Sequence, residues 1–282
     1  MSRLPTRPLG RTGVNVTVLG LGGVTYNLLP DAEAAAVVHR AIDLGIGYID
    51  TAHSYKDSEQ KIGQVMPERR DEVFLATKTT SRTRAGMAAD IEESLKRLRT
   101  DRLDCVQLHD FKDEDDLRAV LEPDGALKAI EQFRADGTVR FVGITGHRDP
   151  DVLARAMAEY PFDTVLCALG AVHGAVRPFA PAVLSAARQH GVGVVGMKVM
   201  AYAFLKDHAE RALRYVMGLP DVATAVVGMD NIAQVEANVA VARACRPLSS
   251  EEEASLLADA RVIYEARAQE AWFVKFPTQS AP

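Results

Sequence analysis

From about Val16 almost to its end, the chain alternates short apolar runs with longer amphipathic segments, and this rhythm limits its fold more than any other feature. Such alternation marks repeated βα units. The apolar runs cover 16–21, 47–50, 73–78, 103–109, 139–145, 163–169, 193–198 and 222–227. Between them lie helical patterns at 31–44, 57–66, 86–99, 124–135, 149–159, 178–190, 208–218 and 231–242. In the first of these, Asp31 is expected as the N-cap and Gly45 as the stop. Eight strands of this kind close into a parallel barrel, and barrels of about 250 residues are ordinary. The expected fold is thus α/β, a (β/α)8 TIM barrel forming a single domain over residues 1–282. Gly10 and Gly13, between extended stretches, place an N-terminal β-hairpin ahead of it. An extra C-terminal helix at 249–269 opens with Ser249 and, three residues on, Glu252, the spacing of a capping box. Residues 110–123 form an acidic connection longer than a usual βα loop, expected to cover a site at the strand C-terminal face.

The net charge of -5 argues against the clustered basic surface that nucleic acid requires, so a small molecule is the expected partner. Cys105, Cys167 and Cys245 are far apart and suggest neither a disulfide framework nor a metal site. No run has the length of a signal-peptide core or a membrane span, which gives the cytoplasm as the expected location.

In such barrels the strand C-termini converge on one face, where catalytic groups sit. Asp50, Lys78 and His109 end the second, third and fourth runs, and Tyr55 lies five residues beyond Asp50. Singly, each has a bland reading as a cap, a strand-end charge, a core histidine or loop packing. Together they make a chemical unit. A phenol, with an ordinary pKa near 10, donates a proton near neutrality when a neighbouring ammonium stabilises its phenolate. Lys78 can supply that charge, Asp50 can hold it, and His109 can direct a carbonyl oxygen to the phenol.

The chain resembles the aldo-keto reductases, and the compact bacterial branch in particular. The likeness rests on Pro-Leu-Gly-Arg-Thr-Gly into Leu-Gly-Leu-Gly-Gly at 8–23, Asp-Thr-Ala-His-Ser-Tyr at 50–55 and Leu-Ala-Thr-Lys at 75–78. Ser-Leu-Lys-Arg-Leu at 94–98, Leu-Asp-Cys-Val-Gln-Leu-His at 103–109, Gly-Ile-Thr-Gly-His at 143–147 and Gly-Met-Lys at 196–198 extend it. The resemblance runs from about residue 7 to 245. It implies an NAD(P)H-dependent oxidoreductase reducing an aldehyde or ketone, with Tyr55 as general acid, Lys78 and Asp50 tuning it, and His109 orienting the substrate. NADP is the implied cofactor, with NAD possible, held by Thr145, Gly146, Lys198, Gly228, Asp230, Gln234 and Asn238. Tyr26, Phe111, Trp272 and Phe273 are expected around the substrate, with Phe204 nearby. His53, His147 and His173 fall in loops at the same face and are read as loop hydrogen-bonding groups. Relatives with a C-terminal cysteine cluster carry iron and sulfur, but this chain has no Cys beyond Cys245, so no iron-sulfur cluster or other metal is expected.

The second half departs from the family pattern. Leu166, Leu169 and Gly170 stand where relatives present Gln, an aromatic or Leu, and Asn to the nicotinamide. Val-Met-Ala-Tyr-Ala at 199–203 replaces a glycine-rich turn that lets backbone N–H groups approach a pyrophosphate. Asp230 would repel a 2′-phosphate but could accept from a ribose hydroxyl. Two alternatives stay open on the residues alone. One is a non-redox lyase or dehydratase using Tyr55 and Lys78, with Lys78 able to form a Schiff base. The other is a regulatory or sensor protein on a reductase scaffold.

Overall fold

A computed structural model describes residues 3–244, 246–267 and 269. Among the described residues there are ten strands: β1 (Thr6–Pro8), β2 (Asn15–Thr17), β3 (Leu19–Gly22), β4 (Tyr48–Asp50), β5 (Phe74–Thr79), β6 (Leu103–Leu108), β7 (Val139–Gly146), β8 (Thr164–Ala168), β9 (Gly193–Met197) and β10 (Val222–Gly228). Strands β3 to β10 pair in parallel in chain order, and β10 closes onto β3. The helices are α1 (Asp31–Asp43), α2 (Ser58–Gly63), α3 (Met66–Arg69), α4 (Arg84–Leu98), α5 (Glu114–Leu121), α6 (Ala126–Ala135), α7 (Pro150–Glu159), α8 (Ala171–Val176), α9 (Ala180–His190), α10 (Ala209–Gly218), α11 (Ile232–Ala244) and α12 (Ser250–Arg267). The eight expected barrel strands are therefore found, as is the additional helix. Ser249 and Glu252 cap α12 reciprocally, each side chain accepting from the other's backbone N–H at 3.1 and 2.8 Å.

Three local expectations are corrected. Asp31 is the first helical residue rather than the N-cap of α1, because Pro30 with its extended backbone takes that position. The acidic connection 110–123 is not a plain loop. It contains α5, whose N-cap Asp113 accepts from the N–H groups of Asp115 and Asp116. The run starting at Val16 divides, since Asn15–Thr17 pairs antiparallel with β1 and only Leu19–Gly22 enters the barrel.

The two faces of each strand separate two cores. Tyr48, Phe74, Ala76, Cys105, Leu166, Val195, Ala223 and Val226 fill the barrel interior together with Leu9 and Val16 of the hairpin. Their outward-facing neighbours, such as Leu75, Val106 and Ile144, pack against the helices. The hairpin closes the N-terminal end. Arg11 donates to the carbonyls of His190, Pro161 and Phe162, and Arg7 to those of Val222 and Met217. Chemistry is thereby confined to the opposite, C-terminal mouth. The closure needs a glycine at position 10, where φ is +52° and a Cβ would stand 2.3 Å from the backbone nitrogen of Gly193. Gly10→Ala is expected to cost about 2–4 kcal/mol. In a chain of this size that lowers the thermal midpoint by roughly 3–7 °C, and an unchanged midpoint contradicts the closure.

Candidate active site

Alternation along the strands aims Asp50 of β4, Lys78 of β5 and Gln107 of β6 into the top of the barrel, above the apolar interior layer. All three are almost wholly removed from solvent, with Lys78 only 1% exposed. The Lys78 ammonium donates to Asp50 Oδ2 at 2.7 Å and to the Thr51 carbonyl at 2.6 Å. Gln107 Nε2 donates to the other carboxylate oxygen at 2.8 Å. Each formal charge thus has an opposite charge and a further hydrogen bond, the condition under which a buried pair is tolerated.

Tyr55 sits in the loop after β4, half-buried, with the Lys78 Nζ 4.6 Å from its ring centroid. Its phenol lies close enough to that ammonium for the two charges to influence each other. His109 meets the Tyr55 ring edge-on, with centroids 5.8 Å apart. The four residues picked out in the sequence are therefore assembled in one place.

Their protonation differs in one respect from the expectation. Burial pushes the Tyr55 phenol up and Asp50 adds to this, while Lys78 opposes it; the balance lies above the ordinary tyrosine value rather than below it. The phenol is held as a protonated donor, and the ammonium limits the cost of losing that proton. Burial pulls Lys78 down, but Asp50 and Tyr55 outweigh it and leave the amine above its ordinary value. A cation so held is a poor Schiff-base nucleophile, which weakens the Schiff-base form of the lyase alternative. His109 is pushed down to about 2, first by burial and then by the charges of Lys78 and His147. It is a neutral imidazole, with Nδ1 facing Ser54 Oγ at 3.4 Å, and keeps one ring N–H as donor.

The residues expected to hold a dinucleotide line the ends of the adjoining strands. Thr145 and Gly146 end β7, with Thr145 Oγ1 accepting from the Asp110 N–H at 3.0 Å. Lys198 follows β9, close enough to His109 and His173 that its charge depresses both. Gly228 ends β10, and Asp230 lies beyond it with Oδ1 buried and without a hydrogen-bond partner. Asn231 Oδ1 caps α11 by accepting from the Gln234 N–H at 2.9 Å, and Asn238 is buried on that helix. Gln234 Oε1 accepts from the Asp230 N–H at 2.8 Å. A cation, a capped helix N-terminus and an orphaned carboxylate oxygen together fit an anionic, hydroxyl-bearing ligand.

The segment replacing the glycine-rich turn keeps a glycine-like backbone without glycine. Lys198, Ala201, Tyr202 and Ala203 have φ of +64°, +46°, +56° and +68°, in the left-handed region that costs about 1–3 kcal/mol for each such residue. Tyr202 lies over Lys198, its hydroxyl accepting from Nζ at 3.1 Å. Leu166 faces the barrel interior, consistent with its inability to bond a carboxamide.

Two of the residues expected around the substrate have no solvent-exposed surface. Tyr26 and Phe111 are fully buried, Tyr26 in the core beside α2 and Phe111 beneath the guanidinium of Arg82, because both rings gain more from burial than the mouth offers. Trp272 and Phe273 lie outside the described residues. Phe204 is half-buried under the Arg267 guanidinium, 4.5 Å from its ring centroid. His147 faces Asp110, with Nε2 2.9 Å from the carboxylate Oδ1. His173 is buried on α8 against Phe179. Gln107 was missed, although its position two residues before His109 places it on the same strand face. Among the described residues no cluster suited to a metal occurs, and no helix is long and apolar enough to cross a membrane.

Comparison with known proteins agrees with this geometry. The aldo/keto reductase family model matches residues 18–211. L-galactose dehydrogenase of Arabidopsis thaliana is 26% identical, covering 90% of this chain and 92% of its own. D-threo-aldose 1-dehydrogenase of a Pseudomonas species is 32% identical over 74% of each chain. An aldo/keto reductase from Klebsiella pneumoniae, solved with NADP and acetate, superposes with a TM-score of 0.72 at 25% identity, covering 88% of this chain and 92% of that one.

The depressed histidines set a pH dependence of stability. The unfolded chain protonates His109 and His173 near pH 6.5 and the native one does not, so stability is full above that pH and falls as pH drops below it. The expected slope is about 1.4 kcal/mol per pH unit for each histidine. Urea midpoints measured between about pH 7.5 and 5.5 should fall, and less steeply in His109→Gln; equal slopes contradict this.

Proposed function

Because the chain belongs to the aldo/keto reductase family and is an enzyme of that kind, performing NAD(P)H-dependent carbonyl reduction, we propose that Tyr55 protonates the carbonyl oxygen of an aldehyde or ketone. The carrying observation is the buried Lys78–Asp50 pair beside the Tyr55 phenol, with neutral His109 edge-on to the same ring. NADPH, when bound, supplies the hydride to the carbonyl carbon. The residues proposed to hold it are Thr145, Gly146, Lys198, Gly228, Asp230, Gln234 and Asn238.

In this reading the one remaining N–H of His109 orients the carbonyl oxygen toward the phenol. Tyr55 gives its proton to that oxygen as negative charge develops there. The phenolate left behind faces the Lys78 ammonium, and Asp50 with Gln107 prevents that ammonium from swinging away. Charge is thus met by groups already in place, which is where such sites gain most. Two similar proteins are named as sugar dehydrogenases, which makes aldoses and their oxidised forms sensible members of a substrate panel.

The test is oxidation of NADPH, followed by absorbance, across a panel of aldehydes, ketones and sugars. Tyr55→Phe should lower kcat by roughly 10²–10⁴-fold, the usual contribution of a positioned acid. NADPH affinity, measured by fluorescence, should stay nearly unchanged. Full turnover in Tyr55→Phe would show that the proton comes from elsewhere.

A further inference from the structure

The segment that carries His109 passes into a backbone conformation that has to be held from outside. Asp110, the residue after it, has φ of +54°, in the left-handed region that costs about 1–3 kcal/mol for a residue with a side chain. From the β7 side, Thr145 holds this segment. Its Oγ1 accepts from the Asp110 N–H at 3.0 Å, and its carbonyl accepts from the Phe111 N–H at 2.8 Å. From the other side comes Arg82, in the loop that follows the strand of Lys78. Its Nη2 donates to the His109 carbonyl at 2.7 Å and to the Asp110 carbonyl at 3.2 Å. Two carbonyl dipoles aimed at one place repel each other, and a cationic donor between them turns that repulsion into two charge-assisted hydrogen bonds. The carbonyls on either side of the strained Asp110 backbone are therefore held together by one guanidinium.

Arg82 is itself fixed on every side. Its Nε and Nη2 donate to the two carboxylate oxygens of Asp116 on α5 at 3.1 and 3.2 Å, and its Nη1 donates to the Thr80 carbonyl at 3.2 Å. The guanidinium also lies over the Phe111 ring, 5.0 Å from its centroid. Its backbone carbonyl accepts from the Ala126 N–H at 2.9 Å, and the adjacent Thr83 pairs with Gly125. The side chains of Arg82 and Asp116 are 16% and 17% exposed, so the fork is largely shielded from water. A planar fork with several donors can serve two carbonyls, a carboxylate and a ring face at once, which a lysine ammonium cannot.

We propose that Arg82 is a positioning residue for His109. By drawing the carbonyls of His109 and Asp110 to one guanidinium, it keeps the Asp110 backbone left-handed and so sets the direction in which the His109 imidazole faces Tyr55 and the carbonyl substrate. Without it the two carbonyls turn apart, Asp110 relaxes to a negative φ, and the imidazole turns with the peptide that follows it. The proposal rests on His109 orienting the carbonyl, and its test separates the two.

The intact protein is prepared with isotope-labelled histidine and read by nitrogen NMR, the imidazole signal of His109 being the one that disappears in His109→Gln. With neither cofactor nor substrate added, that signal should move in Arg82→Ala and in Arg82→Lys. Millimolar guanidinium ion, far below a denaturing level, should return it toward the wild-type position in Arg82→Ala. In turnover with saturating NADPH, Arg82→Ala should lose on the order of 10²-fold in kcat, the usual cost of a misplaced catalytic group, and recover part of it with guanidinium. NADPH affinity should stay level. Arg82→Lys should recover little, because the charge alone does not replace the fork. Asp116→Asn, which leaves Arg82 in place and loosens its grip, should move the same signal by less, and it carries the test if the Arg82 variants fail to fold. The signal is read without turnover, so a His109 signal that moves in a protein reducing no carbonyl defeats the reductase reading and upholds the hold on His109. A His109 signal at its wild-type position in the folded variants overturns the proposal, as does guanidinium that leaves the Arg82→Ala signal where it was.

Discussion

The site depends on one interaction, the ion pair between Lys78 and Asp50 inside the barrel mouth. An ammonium with 1% exposure is tolerable there only because a carboxylate 2.7 Å away, a carbonyl and the Gln107 amide satisfy the pair. The pair needs three adjacent strands in register, with Asp50 paired to Ala76 and Lys78 paired to Gln107. The fold is thus the device that sets charge against phenol. Gln107, absent from a reading by charged residues alone, completes the carboxylate's shell and fixes which oxygen the ammonium takes.

The same burial that strengthens the pair shapes its neighbours. It raises Tyr55 despite the cation and depresses His109 to about 2, so at neutral pH both are uncharged donors set side by side. That arrangement suits a neutral carbonyl, which acquires negative charge only as it reacts. In the proposed reaction Lys78 answers that charge once it has moved to the phenol oxygen. In the other half of the mouth, four left-handed non-glycine residues after β9 keep a backbone shape that glycines would adopt without strain. The departures in sequence there place Tyr202 over Lys198.

Much of this was legible before any coordinates. The eight barrel strands and their helices follow from a hydrophobic rhythm that only parallel βα units satisfy. Asp50, Lys78 and His109 could be found because each is a polar residue ending an apolar run. The helix within 110–123 was hidden because its first turn, Glu114, Asp115 and Asp116, reads as a solvated acidic loop, although acids at a helix N-terminus are favourable. The burial of Tyr26 and Phe111 was not legible, because an aromatic in a loop is read as pocket wall, whereas these loops fold inward and bury them. The direction of the Tyr55 shift was not legible, since it is a difference between burial and Lys78 that residue spacing does not contain.

The central claim is that Lys78 acts on catalysis through Tyr55, and a double-mutant cycle on kcat tests it most directly. Tyr55→Phe, Lys78→Met and the combined variant are compared with wild type for one carbonyl substrate at saturating NADPH. If ammonium and phenol act as one unit, the double variant is no slower than Tyr55→Phe alone. Losses that multiply in the double variant would mean that Lys78 works independently of the phenol, and the account would fail.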